Sequence, residues 1–214
     1  MKYKLYFWIL IILLSFLLLH NLYTQTFPSF GFKTGLVSAY YASNSTPSNY
    51  HYTSTSSLGF SIGVFAEFFK VKKFSTIIEL NYEEKGGNDK VYSPVIINNY
   101  SSIYLLSIPV LAKLTFTFLR FNPYLAVGPR TDIFISRGNS EFEQYLYKNI
   151  NSVEFGILLA VGTEIKISQE ISLLFETSYS PDFTTSEIPP GVSGGKTTIR
   201  NFAFEFRTGL KFNH

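Results

Sequence analysis

A chain of 214 residues with 18% aromatic and only 15% charged side chains is long enough for one sizeable core, and carries about ten percentage points less charge than an ordinary soluble domain. Its formal net charge of +3 drops by two, to +1, if Lys2 and Lys4 leave with a leader, which excludes a nucleic-acid interface built on a basic surplus. With no cysteine, the chain has no disulfides, thiolate metal sites, cysteine nucleophile or lipidated N-terminal Cys.

Lys2 and Lys4 precede an apolar run from Leu5 to Leu19, the n-region and h-region of a secretory signal. The run is shorter than the roughly 20 residues a helix needs to span a bilayer, which argues against a membrane anchor. Residues 1–25 are therefore predicted to be a helical signal peptide, cleaved near Gln25, and residues 26–214 one exported domain.

Beyond the leader, oily and polar residues alternate with period two, as in strands with one apolar face. The 22 Phe and 15 Tyr reinforce that reading, because aromatic rings suit a pleated surface. The first predicted strand, Phe30 to Val37, has Gly31, Lys33 and Gly35 on its polar side. A loop from Ala42 to Ser57 leads to the second, Leu58 to Phe68, where Gly59, Ser61, Gly63, Phe65 and Glu67 oppose an aliphatic and aromatic row. After a short link, Phe69 to Lys73, the third strand runs from Phe74 to Tyr82 with Glu79 and Asn81 on the polar side. The stretch Glu83 to Ser102, containing Gly86-Gly87-Asn88-Asp89, reads as a second long loop. In the fourth strand, Ile103 to Phe116, Ser107 and Lys113 face away from the oily row, and Pro109 predicts a bulge or a gap because it removes a ladder donor.

The fifth strand begins at Pro123, with Tyr124, Ala126, Gly128, Arg130 and Asp132 on its polar face and Pro129 repeating the difficulty of Pro109. A third long loop, Ser136 to Ser152, precedes the sixth strand, Val153 to Ile167, whose polar row holds Glu154, Gly156, Ala160, Gly162, Glu164 and Lys166. Ser168-Gln169-Glu170 turns into the seventh, Ile171 to Tyr179, with Ser172, Glu176 and Ser178 opposite the oily side. A fourth long segment, Asp182 to Arg200, delivers the chain to its last strand, Asn201 to Phe212. There Phe202, Phe204, Phe206, Thr208, Leu210 and Phe212 oppose Asn201, Ala203, Glu205, Arg207, Gly209 and Lys211.

Eight strands joined by long and short connections in strict alternation describe an all-β, antiparallel, up-and-down transmembrane barrel, with long loops outside and tight turns in the periplasm. Glycines mixed with charges on one row suit the interior of an eight-stranded barrel, which side chains can fill. The predicted lumen network is structural: Lys33, Glu67, Glu79, Lys113, Arg130, Asp132, Glu154, Glu164, Glu176, Glu205 and Arg207, with Lys166 and Lys211 on the same row. Glu205 and Arg207 are expected to meet partners on the first and seventh strands. Two aromatic belts are expected on the lipid side, an outer one of Tyr40, Tyr82, Tyr104, Tyr179 and Phe202 and an inner one of Phe68, Phe74, Phe116, Tyr124 and Phe212. A soluble lipocalin-like carrier is the alternative that the same alternation permits.

Glu79-Leu80-Asn81-Tyr82-Glu83-Glu84-Lys85-Gly86, then Tyr104 to Lys113 with Ser107-Ile108-Pro109, then Pro123-Tyr124-Leu125-Ala126-Val127-Gly128-Pro129, together resemble the PorT-type outer-membrane β-barrel family of Bacteroidetes and related bacteria. Its architecture is of the OmpA and OmpX kind. Glu176 to Ser180 and Arg207 to Phe212 are similar to that family's last two strands. The resemblance covers essentially the whole mature chain and implies that Pro109 and Pro129 are family features. The chain departs from the pattern at Ser107, often a carboxylate in the family, and at its end, where Asn213 and His214 follow the terminal aromatic.

Catalytic alternatives are thinly supplied. Outside the leader only His51 and His214 remain, and His51 lies among Ser54, Ser56 and Ser57 in a predicted loop, without the register that a Ser-His-acid set needs. Asp132 and Glu154 form a candidate carboxylate pair, for which salt bridging with Arg130 is the simpler role. Gly191 to Lys196 lacks the spacing of a phosphate loop. No catalytic, metal or cofactor set is therefore expected. The expectation is a monomeric, non-enzymatic barrel in the bacterial outer membrane, partnered by lipid and, during insertion, by the barrel-assembly machinery, with no nucleic-acid partner and an unidentified loop ligand. An outer-membrane barrel enzyme acting on lipid or protein is the competing reading.

Overall fold

Alternating side chains give strands wherever one face must meet hydrocarbon, and nine strands occur in the computed structural model, which describes residues 29–46, 51–93, 95–137, 151–188 and 196–213. They are β1 (Ser29–Thr46), β2 (His51–Val71), β3 (Phe74–Ser93), β4 (Val95–Thr115), β5 (Phe121–Arg137), β6 (Val153–Lys166), β7 (Ile171–Pro181), β8 (Ser186–Ile188) and β9 (Lys196–Asn213). The predicted signal peptide lies outside the described residues. Each long strand pairs antiparallel with the next, and β1 pairs with β9 to close an eight-stranded barrel. Short β8 is no extra stave, since it resumes along β9 the pairing that β7 leaves at Pro181.

The closure can be measured from the register. A walk from Gly31 across partners Phe65 and Glu79, over the pairing gap to Pro109 in the register of its flanking pairs, then across Arg130, Gly156, Asp182 and Asn201, returns to β1 at Tyr41, ten residues further along. With eight strands at the usual spacings, that stagger gives a tilt of about 41° and a backbone radius of about 8 Å. Such a cylinder has no room for a wide channel once its side chains point inward. Every residue on this walk does point inward.

Along the strands the outward row is exposed or half-buried and the inward row is mostly buried. Phe30, Phe32 and Leu36 of β1 alternate with Gly31, Lys33 and Val37, and Phe204 and Phe206 of β9 alternate with Glu205 and Arg207. Tyr40 stacks on Phe202 with centroids 5.3 Å apart, and Tyr82 on Tyr104 at 6.0 Å. At the other end Phe30 stacks on Phe212 at 5.4 Å. The ten residue steps of β9 from Phe202 to Phe212, tilted as above, separate the two belts by about 25 Å, the height of an outer-membrane apolar band.

Three expectations need correction. Ala42 to Ser57 and Glu83 to Ser102 are not simple loops: β1 continues to Thr46, β2 already starts at His51, and β3 and β4 form one long hairpin in which Ser93 pairs with Val95. Gly86 and Gly87, which read as turn residues, sit within the ladder opposite Ser102 and Ser101. Above the apolar band a strand needs no oily face, so its periodic signal fades while its hydrogen bonding continues. Tyr124, expected in the inner belt, is buried in the lumen. Arg207, expected to meet the first and seventh strands, bonds β7 and, across the lumen, β3.

At Pro109 the structure has a gap in pairing. The β3–β4 register passes from Ile78↔Val110 to Asn81↔Ser107 without an intervening pair, and the β4–β5 register skips from Pro109↔Arg130 to Ala112↔Val127, beside Pro129. A missing donor is tolerated where the neighbouring pairs hold the strands in place.

Candidate functional site: a three-tiered charged lumen

The inward rows stack ionic side chains in tiers along the barrel axis. In the middle tier Lys33 Nζ lies 2.6 Å from Glu79 Oε1 and 2.8 Å from Glu176 Oε2. Arg207 bonds the same two carboxylates from the other side, Nη1 to Glu79 Oε2 at 2.9 Å and Nη2 to Glu176 Oε1 at 2.6 Å. Asn81 donates to Glu79 Oε2 at 3.0 Å, and the Tyr124 hydroxyl donates to Glu176 Oε2 at 2.7 Å. Two cations and two anions alternate around a square, and all four carboxylate oxygens accept a bond. Buried charges are tolerable only when paired and hydrogen-bonded in this way.

The tier nearer the short turns repeats the design. Lys211 Nζ lies 2.5 Å from Glu67 Oε2 and 3.0 Å from Glu164 Oε1, and Lys113 bonds Glu164 and lies 3.3 Å from Glu67. Ser75 donates to Glu67 at 2.6 Å and Ser29 at 3.2 Å. Between these tiers Phe65, Ile77, Leu111, Ala126, Leu158, Ala160 and Leu174 fill the remaining space with apolar contacts. Lys33 also stands over the Phe65 ring at 5.2 Å, and Lys113 over Tyr124 at 4.5 Å.

The tier nearer the long connections is unlike the other two. Lys85 lies 2.8 Å from Glu83 and 3.1 Å from Asp132. Arg130 bonds Asp182 and sits 3.1 Å from Asp132, Glu154 accepts a bond from Ser186 at 2.8 Å, and Glu205 comes no closer than 3.6 Å to Arg207 Nε. Five buried carboxylates thus share Lys85 and Arg130, where the other tiers hold two of each sign. Both Glu205 oxygens, Asp182 Oδ2, Asp132 Oδ1 and both Asn201 amide atoms are buried without a hydrogen bond among the described residues.

Every member of the expected network is inward and buried. Lys33, Glu79, Glu176 and Arg207 come together in the middle tier, Glu67, Lys113 and Glu164 in the tier near the short turns, and Arg130, Asp132, Glu154 and Glu205 in the third. Lys211 joins the second group, whereas Lys166 is exposed at the mouth. Glu83, Lys85 and Asp182, in stretches that read as loops in the sequence, are also buried in the lumen. The parity that places Glu79 and Asn81 inward continues to positions 83 and 85, and that of Ser178 and Ser180 to 182, so extending each alternating row was the available signal. His51 opens β2 opposite Tyr92, His214 and the Gly191 to Lys196 segment lie outside the described residues, and no metal-holding group of three or more His, Cys, Asp or Glu occurs among the described residues.

Gly162 of β6 shows how closely the lumen is fitted. A Cβ there would lie 2.4 Å from Tyr124 Cζ and 2.7 Å from the Phe175 carbonyl oxygen. Gly162→Ala is therefore expected to push the Tyr124 hydroxyl off Glu176 and to destabilise the barrel by about 1–3 kcal/mol, measured as a lower urea midpoint in lipid vesicles. Gly162→Ala combined with Tyr124→Phe should be no worse, because the displaced hydroxyl is gone.

A closed barrel with an apolar outer band and an ion-filled interior fits one family. Residues 24–186, well over half of the chain, match the family model described as outer membrane protein beta-barrel domain. The chain belongs to that family. Its place is the bacterial outer membrane. OprG from Pseudomonas aeruginosa is similar in structure, with a TM-score of 0.63 over 89% of this chain and 98% of that one at 13% identity. AlkL, solved in lipid bilayers, is similar at TM-score 0.53 and 12% identity, covering 90% of this chain and 92% of its own. Neisserial surface protein A gives 0.51 at 14% identity, covering 86% and 97%. At these identities the likeness concerns the fold alone. A search of curated proteins found no match.

Proposed function

We propose that this protein is a non-enzymatic, non-conducting outer-membrane barrel of the PorT type, which acts through the part of its wall that stands above the membrane. The middle tier supports the first part of the reading: Lys33, Glu79, Glu176, Arg207 and Tyr124 cross-link β1, β3, β5, β7 and β9 through the barrel axis with no carboxylate oxygen left over. Unequal strand length supports the second. β2, β3 and β4 run for 21, 20 and 21 residues against 11 in β7, so one side of the wall rises well beyond what the bilayer requires and offers sheet surface to a partner. The strand motifs from Glu79 to Gly86 and from Pro123 to Pro129 support the PorT-type assignment.

Single-channel recording in planar bilayers tests the plug. The wild-type barrel should insert without stepwise current, while a variant with Lys33, Glu79, Glu176 and Arg207 all changed to alanine should conduct. Steady ohmic current through the wild type would overturn the reading.

A further inference from the structure

At the short-turn end, which faces the periplasm, a cavity of about 280 Å³ opens below the Glu67–Lys113–Glu164–Lys211 tier. The floor is electrically balanced, but the rim is not. Lys70, Lys72 and Lys166 line the opening, are exposed, and have no ion-pair partner among the described residues. Asn122 also lines the cavity, is 4% exposed, and its Oδ1 accepts no hydrogen bond among the described residues. Three unpartnered ammonium groups at the rim and a buried acceptor deeper in define a ligand with an anion at one end and a hydrogen-bond donor at the other.

We infer that this mouth binds a phosphodiester head group whose far end carries an amine or hydroxyl, the phosphate resting among Lys70, Lys72 and Lys166 and the donor reaching Asn122 Oδ1. The surroundings point to a lipid as its source. Phe74, Phe118, Phe121 and Ile167, each between 57% and 65% exposed, and Leu119, at 97%, surround the rim on the outside, so the lysines stand at the level of the inner-leaflet head groups. Lys73 stands over the Phe116 ring at 5.9 Å and does not line the cavity, nor does Glu170, the carboxylate of the turn before β7. The volume accommodates a glycerol- or ethanolamine-phosphate group together with its water.

Native mass spectrometry of the full barrel released from detergent, titrated with phosphatidylethanolamine, phosphatidylglycerol or phosphatidylcholine, tests the assignment. Calorimetry with free phosphoethanolamine and glycerol 3-phosphate forms the soluble arm. The expected result is one saturable lipid adduct for the first two lipids, weaker for phosphatidylcholine, which lacks the donor. Changing Lys70, Lys72 and Lys166 together to glutamine should lower the affinity about tenfold or more. Asn122→Ala should remove the preference over phosphatidylcholine while leaving phosphate binding. Exposed lysines bear no fold, and heat-modifiable migration verifies that the variants are inserted barrels. Saturable binding of the free solutes as well would support the site and assign it to soluble phosphates. Affinity unchanged by the triple lysine change, or equal affinity for phosphatidylcholine, would overturn the proposal.

Discussion

Arg207→Ala lowers the stability of the inserted barrel by about 3–5 kcal/mol, because it leaves Glu79 and Glu176 buried with Lys33 as their one shared cation. Arg207 is 1% exposed, so water does not take over its bonds without opening the wall. Glu205→Gln, two residues earlier on the same row, has the opposite sign of consequence. Glu205 belongs to the tier with five carboxylates and two cations, and neither of its oxygens accepts a hydrogen bond among the described residues. Neutralising it removes a desolvated charge whose ion contact among the described residues, 3.6 Å from Arg207, leaves Arg207 its bonds to Glu79 and Glu176. The expected change lies between zero and a gain of about 1 kcal/mol. Urea unfolding in vesicles, followed by far-ultraviolet dichroism, measures both; equal losses would show that the two tiers do not differ in charge balance.

Phe206→Arg blocks insertion. Phe206 is 55% exposed on the lipid side, pairs with Leu36 and Thr177, and lies near the midpoint between the Tyr40–Phe202 and Phe30–Phe212 stacks. An arginine at that depth on the lipid face costs roughly 2–4 kcal/mol, and the cost falls on the inserted state. The readout is the fraction of chain that acquires heat-modifiable migration after folding into vesicles. Face alternation alone ranks Phe206→Arg above Arg207→Ala. The ion square raises the expected cost of losing Arg207 to a similar size, so the two substitutions are separated by what they impair, entry for one and unfolding for the other. A Phe206→Arg barrel that inserts as well as wild type would mean that the two faces are reversed.

The faces themselves were legible in the chain because period-two alternation is a local property, and hydrocarbon on one side enforces it from Phe30 to Phe212. Pro109 could be read as a place where pairing fails for the same reason, since a missing N–H belongs to the residue. The alternation stops being informative where both sides of a strand leave the membrane. That is why Glu83, Lys85 and Asp182 read as loop, although all three are buried in the lumen. Tyr124 was ambiguous in a different way, because a tyrosine suits either an interfacial belt or a lumen bond to Glu176.

By itself, the sequence determined the strand count, the membrane-facing row and which charges turn inward, all consequences of side-chain parity. Only the tertiary structure decided which of those charges meet. A stagger of ten residues around the barrel brings Arg207 of β9 to Glu79 of β3, 128 positions away in the chain, and groups the charges into two neutral tiers and one acidic one. Register between strands is a property of closure, set by the packing of the whole cylinder, and no single strand carries it.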